Sequence, residues 1–290
     1  MSKAKALLQM VRPINCIMMG FAVIVGASLA NKEIFSSQVF PNLFFGFVTA
    51  FTLTGASMAI NDYYDRDIDA INEPNRPIPK GIISPKQALL CASFLAIIGF
   101  AAAYFANMSS QVAERMVIAI LSWIVSVAYA TRGKQTGLLG NFLVSTCVAA
   151  PFVYGSFVVG KGFEMAIMLL AVMAFLSNNG REIAKGIVDI EGDKSQNIMT
   201  IAVTHGEKTA ASVASFFFTL AVVLSPLSLL LNLVSLWFVP LVAVTDIGLI
   251  VSSVFLIRDY SRKNAKKIKN LVLVWFLFGL LAFIAGTFGK

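Results

Sequence analysis

Apolar and polar residues alternate along this chain in long blocks rather than with the short periods of a water-soluble domain. Nine apolar runs, at 13–31, 39–60, 86–106, 112–131, 138–158, 163–181, 209–231, 234–257 and 268–288, are each close to 20 residues long. A helix of about 20 residues, rising about 1.5 Å per residue, crosses the hydrocarbon core of a bilayer. Each run is therefore predicted to be a membrane-spanning helix, which satisfies its backbone groups internally. Pro151, Pro226 and Pro240 fall inside runs and predict kinks. Met1 to Val11 carries Lys3 and Lys5, and the long run after Arg12–Pro13 reads as a retained first span, not a cleaved leader.

The polar blocks between the runs are unequal. Of the 23 Lys and Arg residues, 19 fall to the side that holds the N-terminus and the blocks at 66–86, 132–134, 181–208 and 258–269. Only Lys32, Arg115, Lys161 and Lys290 fall to the other side. The excess marks the cytoplasmic face and places the N-terminus inside, with the C-terminus outside after an odd number of spans. The expected fold is all-α: one polytopic membrane domain over 1–290, with nine transmembrane helices.

Composition agrees. The chain is 58% hydrophobic and 13% charged, against about 25% charged in soluble domains. A net charge of +8 is no nucleic-acid signature here, because the basic residues are dispersed between apolar runs. Cys16, Cys91 and Cys147 are far apart in apolar segments and read as small buried side chains.

The candidate chemistry is acidic. Nine of the fifteen Asp and Glu residues lie in two windows, 61–73 after the second run and 182–193 after the sixth. Four spans separate them, so a weak internal repeat is expected. In the first window Asn61, Asp65 and Asp69 stand at i, i+4 and i+8, one stripe of a helix, and Asp62 joins that face. In the second, Asp189 and Asp193 repeat the spacing. Stacked like charges weaken a helix by a few tenths of a kcal/mol per pair, and an Asp at membrane depth costs about 2.5–3.5 kcal/mol on insertion scales. A hard divalent cation reverses both penalties: Mg²⁺ is held by one or two carboxylates plus substrate phosphates. Two acidic clusters facing each other across a cavity could hold two Mg²⁺ on one diphosphate. Asp67 and Glu73 read as solvated loop charges.

Cations lie near both windows. Pro74, Pro77 and Pro79 stiffen the loop that carries Arg76 and Lys80. Tyr129 and Lys134 flank a short turn after the fourth run, Lys185 lies one helical turn before Asp189, and Arg12 heads the first run. Arginine's planar fork suits phosphate. Asp246 sits inside the eighth run with no partner visible in the sequence, and His205, the one histidine, reads as a structural or surface residue in a loop.

These residues resemble the UbiA superfamily of intramembrane prenyltransferases. The pattern N-D-x-x-D-x-x-x-D matches Asn61, Asp62, Asp65 and Asp69, and N-x-P-x-R-P-I-P matches Asn72, Pro74, Arg76, Pro77, Ile78 and Pro79. Y-S-x-x-x-K with a following G-N matches Tyr129, Lys134, Gly140 and Asn141, with Ala130 in place of the serine. R-E-x-x-K-x-x-x-D-x-x-x-D matches Arg181, Glu182, Lys185, Asp189 and Asp193. The resemblance implies nine helices around a central cavity. It implies Mg²⁺ at Asn61, Asp62, Asp65, Asp69, Asp189 and Asp193, and an isoprenyl diphosphate held by Arg12, Arg76, Lys80 and Lys134. Asp69, Tyr129 and Lys185 are expected next to the reacting atoms. The segments 12–20 and 180–187 look most like the branch that alkylates geranylgeranylglyceryl phosphate, a lipid-like acceptor whose own phosphate needs a second basic site, with Arg12 and Lys80 as candidates. An aromatic quinone precursor is the alternative acceptor. An ion-coupled transporter is the alternative class, disfavoured because its carboxylates would lie near the bilayer midplane rather than at one rim.

Overall fold

The computed structural model describes residues 2–31, 36–37, 39–106 and 112–289. Lys32 and Lys290, two of the four cations assigned to the outer side, lie outside the described residues. Described residues fold into helices, without strands among them: α1 Lys3–Val11, α2 Pro13–Ala30, α3 Phe40–Tyr64, α4 Arg66–Asn72, α5 Pro85–Phe105, α6 Val112–Thr131, α7 Leu138–Val158, α8 Met165–Val188, α9 Ile190–Ser195, α10 Ile201–Leu224, α11 Leu227–Leu230, α12 Val239–Arg258 and α13 Arg262–Ala285.

Eight of the nine predicted spans reappear, among the described residues, as segments long and apolar enough to cross a membrane: Pro13–Ala30, Phe40–Tyr64, Pro85–Phe105, Ala113–Thr131, Leu138–Val158, Ile201–Leu230, Leu236–Arg258 and Arg262–Ala285. The ninth, predicted at 163–181, is α8. Its 24 residues are long enough, but its second half carries Ser177, Asn178, Asn179, Arg181, Glu182 and Lys185, because that half faces the polar site rather than lipid. Leu90, Phe94, Ile97, Phe216 and Ile247 are among the large apolar side chains left exposed, as expected where lipid is the solvent.

Small residues let the helices close up. A Cβ at Gly26 of α2 would lie 2.0 Å from the Phe152 carbonyl oxygen of α7, and one at Gly155 of α7 would lie 2.1 Å from that of Val23. Neither position accepts a side chain while the two backbones touch. The α8–α10–α12–α13 group buries Ile187, Phe218, Leu256 and Val272. Arg115, fully buried in α6, donates to the Ala106 carbonyl at the end of α5.

Two expectations are revised and one helix was not foreseen. Residues 3–11 form a short helix, α1, capped by Ser2 and packed through Ala6 and Met10 against α3 and α5. The two acidic motifs are not continuous helix; each straddles a break. His205 belongs to a short helical turn rather than a loop, since the 209–231 run begins early at Ile201 and Gly206 kinks it with φ +86°.

Candidate active site

The acidic motifs are built alike. α3 ends at Tyr64, Asp65 stays in the right-handed region with its ψ opened to 0° (φ −85°), and α4 follows at once. α8 ends at Val188, Asp189 opens further out of that region (φ −102°, ψ 8°), and α9 follows. The i→i−4 backbone bonds continue through both breaks: Asp65 N to Asn61 O at 2.8 Å, Asp69 N to Asp65 O at 2.7 Å, Asp189 N to Lys185 O at 3.2 Å and Asp193 N to Asp189 O at 2.9 Å. Each break is thus a bend that keeps the carboxylates in register while turning the chain across the end of the bundle.

Asn72 joins the two motifs. Its Oδ1 accepts from the Gly192 N–H at 3.1 Å and its Nδ2 donates to the Asp189 carbonyl at 3.4 Å. α4 and α9 therefore lie side by side, as contact across a cavity mouth requires.

Every acid of the first motif has a cation. Arg12 donates to Asp62 at 2.6 Å, Arg76 bridges Asp62 at 3.2 Å and Asp69 at 2.5 Å, and Lys134 reaches Asp65 at 2.5 Å. Asn61 Nδ2 donates to Asp65 at 2.7 Å. Arg12 reaches its place through a left-handed backbone, φ +55° between α1 and α2, a conformation that costs a non-glycine residue about 1–2 kcal/mol. In the second motif Arg181 and Lys185 share Glu182, at 2.8 and 3.3 Å. Asp62, Asp65, Asp69 and Asp193 are buried, and Asp189 is half-buried. Burial pushes the Asp69 carboxyl up to about 6, with Arg76 opposing. Burial, reinforced by Asp189, pushes Asp193 up to about 6, with Lys134 and Lys185 opposing. Burial alone would lower the Arg76 guanidinium, but the Asp69 and Asp62 carboxylates outweigh it and hold its pKa up.

Below this mouth lies a cavity of about 460 Å³ between α2, α3, α6, α7, α8 and α13. Apolar side chains such as Met19, Leu53, Trp123, Val148 and Phe276 line its depth. Its charged lining residues are Arg12, Arg76, Arg181, Lys185 and Lys269 against Glu182 alone, so a cation-rich end sits over an apolar wall.

Of the residues predicted from sequence, Arg12, Asn61, Arg76, Tyr129 and Lys185 line the cavity. Asp62, Asp65, Asp69, Asp189, Asp193 and Lys134 lie outside the lining, the first three bonded to its Arg12, Asn61 and Arg76 and Lys134 bonded to Asp65. Lys80 is exposed on the loop, outside the lining. Asn72 and Glu182 were visible only as motif letters, and Lys269 only as one of a basic run. The signal for Lys269 was periodicity: it shares a helix face with Leu273 and Phe276 at i+4 and i+7. Asp246 does have a partner, the Ser225 hydroxyl at 2.5 Å, and lies outside the lining.

Helices of membrane length around a cavity whose charged end meets an apolar wall define a membrane-embedded protein acting on an amphiphile with an anionic head. The chain belongs to the UbiA prenyltransferase family, whose model matches residues 19–286, and it is a multi-pass membrane prenyltransferase. Among its relatives is the digeranylgeranylglyceryl phosphate synthase of Archaeoglobus fulgidus, 36% identical over 98% of this chain and 96% of that protein. The Methanosarcina mazei protein of the same name is 34% identical over 97% of each. A solved digeranylgeranylglyceryl phosphate synthase matches with a TM-score of 0.74 at 29% identity, covering 100% of both chains. A UbiA homologue from Archaeoglobus fulgidus solved with GPP and Mg²⁺ shares the fold, with a TM-score of 0.66 at 16% identity over 96% of this chain and 99% of that one.

Proposed function

We propose that the protein transfers a geranylgeranyl group from geranylgeranyl diphosphate to the hydroxyl of geranylgeranylglyceryl phosphate, forming the second ether link of an archaeal membrane lipid. The cavity carries the proposal: five cations and one carboxylate at one end of an apolar chamber match substrates with phosphorylated heads and long hydrocarbon tails. Relatives named for that product, 36% and 34% identical over nearly the whole chain, support the choice of acceptor. The mouth faces the cytoplasm, supported by the 19 basic residues on its side.

The donors suit Mg²⁺. They are carboxylate and amide oxygens, and the buried Oδ1 of Asn61 has no hydrogen-bond partner. Among the described residues no three carboxylates already converge on one point, in keeping with an ion that completes its shell from water and substrate phosphate. Asn61, Asp62, Asp65 and Asp69 would hold one ion, and Asp189 and Asp193 a second. When bound, Mg²⁺ supplies Lewis-acid stabilisation of the departing diphosphate.

The chain's own groups do the rest. Arg12, Arg76, Lys134 and Lys185 hold the diphosphate oxygens, and Tyr129 adds a phenol donor from the cavity wall. As the C1–O bond breaks, Leu53, Trp123 and Phe276 keep water from the allylic cation. The glyceryl oxygen bonds to C1 and its proton passes to Asp69 or to an oxygen of the departing diphosphate. The test is product analysis by mass spectrometry with geranylgeranyl diphosphate, Mg²⁺ and a panel of acceptors. A glyceryl diether phosphate is expected, whereas prenylation of an aromatic acid in its place overturns the acceptor. Asp65→Ala or Asp189→Ala at full activity would remove the metal assignment.

A further inference from the structure

An acceptor that carries its own phosphate needs an anion subsite apart from the one that grips the donor. Sequence pointed to Arg12 and Lys80 for this role. Arg12 is bound to Asp62, and Lys80 lies outside the cavity. The cation left over is on another helix. Arg12 and Arg76 pair with Asp62 and Asp69, and Arg181 and Lys185 share Glu182. Among the described residues no carboxylate lies within ion-pair distance of Lys269, although its helix neighbour Lys266 approaches Glu73 at 3.9 Å.

Lys269 and Asn270 both line the cavity from α13. Arg181 is fastened beneath them: its Nε donates to the Lys269 carbonyl at 3.2 Å while its NH1 holds Glu182. That bond ties α8 to α13 and fixes a guanidinium beside the lysine. One and two turns further along the same face of α13 stand Leu273 and Phe276. In order, the face reads cation, amide donor, then apolar wall, which is the polarity of a lipid with a phosphate head.

We propose that Lys269 and Asn270, backed by Arg181, form the subsite for the acceptor's phosphate monoester, with Leu273 and Phe276 against the start of its hydrocarbon chain. This rests on the reaction proposed above. A phosphate monoester carries about −1.5 to −2 charges near neutral pH, and a half-buried ammonium with no carboxylate within ion-pair distance among the described residues is the group it neutralises without first breaking an ion pair. The cations of the first motif, each held by Asp62, Asp65 or Asp69, remain for the diphosphate once metal takes those carboxylates. The two heads are then kept apart, so the acceptor cannot occupy the donor's place.

The test is steady-state kinetics with purified Lys269→Met, Asn270→Leu and Lys269→Arg proteins, Mg²⁺ and both substrates varied. Loss of a hydrogen bond to a charged group predicts a rise in the acceptor KM of roughly 10- to 100-fold for Lys269→Met. Asn270→Leu gives a smaller rise, and Lys269→Arg restores most of the affinity. The donor KM and inhibition by inorganic pyrophosphate stay within about twofold of the parent. An unchanged acceptor KM overturns the subsite. A donor KM that rises in its place also overturns it, by assigning the lysine to the diphosphate. Calorimetric binding of the glyceryl ether phosphate separates this inference from the reaction itself. If the parent protein makes no ether product, weaker binding of that lipid to Lys269→Met still supports the subsite, and equal binding removes it.

Discussion

The hinge between the two acidic motifs is one amide on one glycine, and Gly192→Ala tests it. The backbone at Gly192 accepts alanine, since its φ is not among the positive values. The obstacle is space: an added Cβ would stand 2.2 Å from Asn72 Nδ2, 2.5 Å from Cγ and 2.7 Å from Oδ1. The Asn72 amide is the end of a flexible side chain and can swing away. The cost is therefore not the clash but the two hydrogen bonds given up, to Gly192 N and Asp189 O. At about 0.5–1.5 kcal/mol each they total roughly 1–3 kcal/mol, with the 3.4 Å bond at the low end. Alanine in place of glycine within α9 returns up to about 1 kcal/mol. Fold stability should thus fall by no more than about 2 kcal/mol. Activity should fall much further, because parting the motifs by about 1 Å misplaces groups that act together, at roughly 100-fold in kcat. The assay is prenyl-transfer rate against Mg²⁺ concentration, with melting temperature measured in parallel, for Gly192→Ala, Asn72→Ala and the double variant. With the amide gone there is nothing for the new methyl to strike, so the double variant should be no worse than Asn72→Ala alone. Additive losses, or a Gly192→Ala protein with parental kcat, would refute the clamp.

Further outcomes follow from the charges. Asp69 and Asp193 each titrate at about 6 but must be ionised to hold a cation, so apparent Mg²⁺ affinity should drop about tenfold per carboxylate for each pH unit below 6; titrations at pH 5 and pH 7.5 check this. Their pKa is raised above the unfolded value of about 3.9, so the stability these two groups contribute without metal is fully present below pH 3.9 and is lost as pH rises through about 6. The metal-free melting temperature should register that loss, and added Mg²⁺ should reverse it. Because the first-motif acids and cations occupy each other, Mg²⁺ and pyrophosphate should each bind weakly alone and strongly together in calorimetry; independent binding contradicts the exchange of partners. Asp246→Asn, which keeps an acceptor for Ser225 and lies outside the cavity lining, should leave kcat/KM within about twofold, and a larger loss would give Asp246 a role in turnover.

The length of the apolar runs alone located the membrane-spanning helices, because lipid demands such runs. The same rule placed the sixth run at 163–181 and left its true continuation unread. α8 runs on to Val188 through residues too polar for lipid, which only the helices packed around them make admissible. Spacing identified Asp65, Asp69, Asp189 and Asp193, since i and i+4 survive a bend that keeps the backbone bonds. Spacing could not show the bend itself, nor that Asn72 crosses 120 residues of chain to Gly192. Pairing was equally hidden. Arg76 stands 7 and 14 residues from its two carboxylates, and Lys134 stands 69 from Asp65. Such distances along the chain become contacts only when the bundle closes.

That pairing explains how so many charges persist beside a membrane. A lone carboxylate there costs about 2.5–3.5 kcal/mol, and breaking a buried pair by removing one partner costs about 3–5 kcal/mol. Asp62, Asp65 and Asp69 with Arg12, Arg76 and Lys134 form a group without net charge, shared through Arg76. Such a group needs little hydration and holds its members rigidly. A bare cation or a bare diphosphate meets it as a competitor for groups already occupied. On the proposed reaction a metal diphosphate would meet it as an exchange, with the carboxylates turned to metal and the cations to phosphate, and the mouth would favour the complex of the two over either alone. Among the described residues Lys269 has no carboxylate within ion-pair distance, so on the proposed reading a second phosphate would meet it without first breaking such a pair.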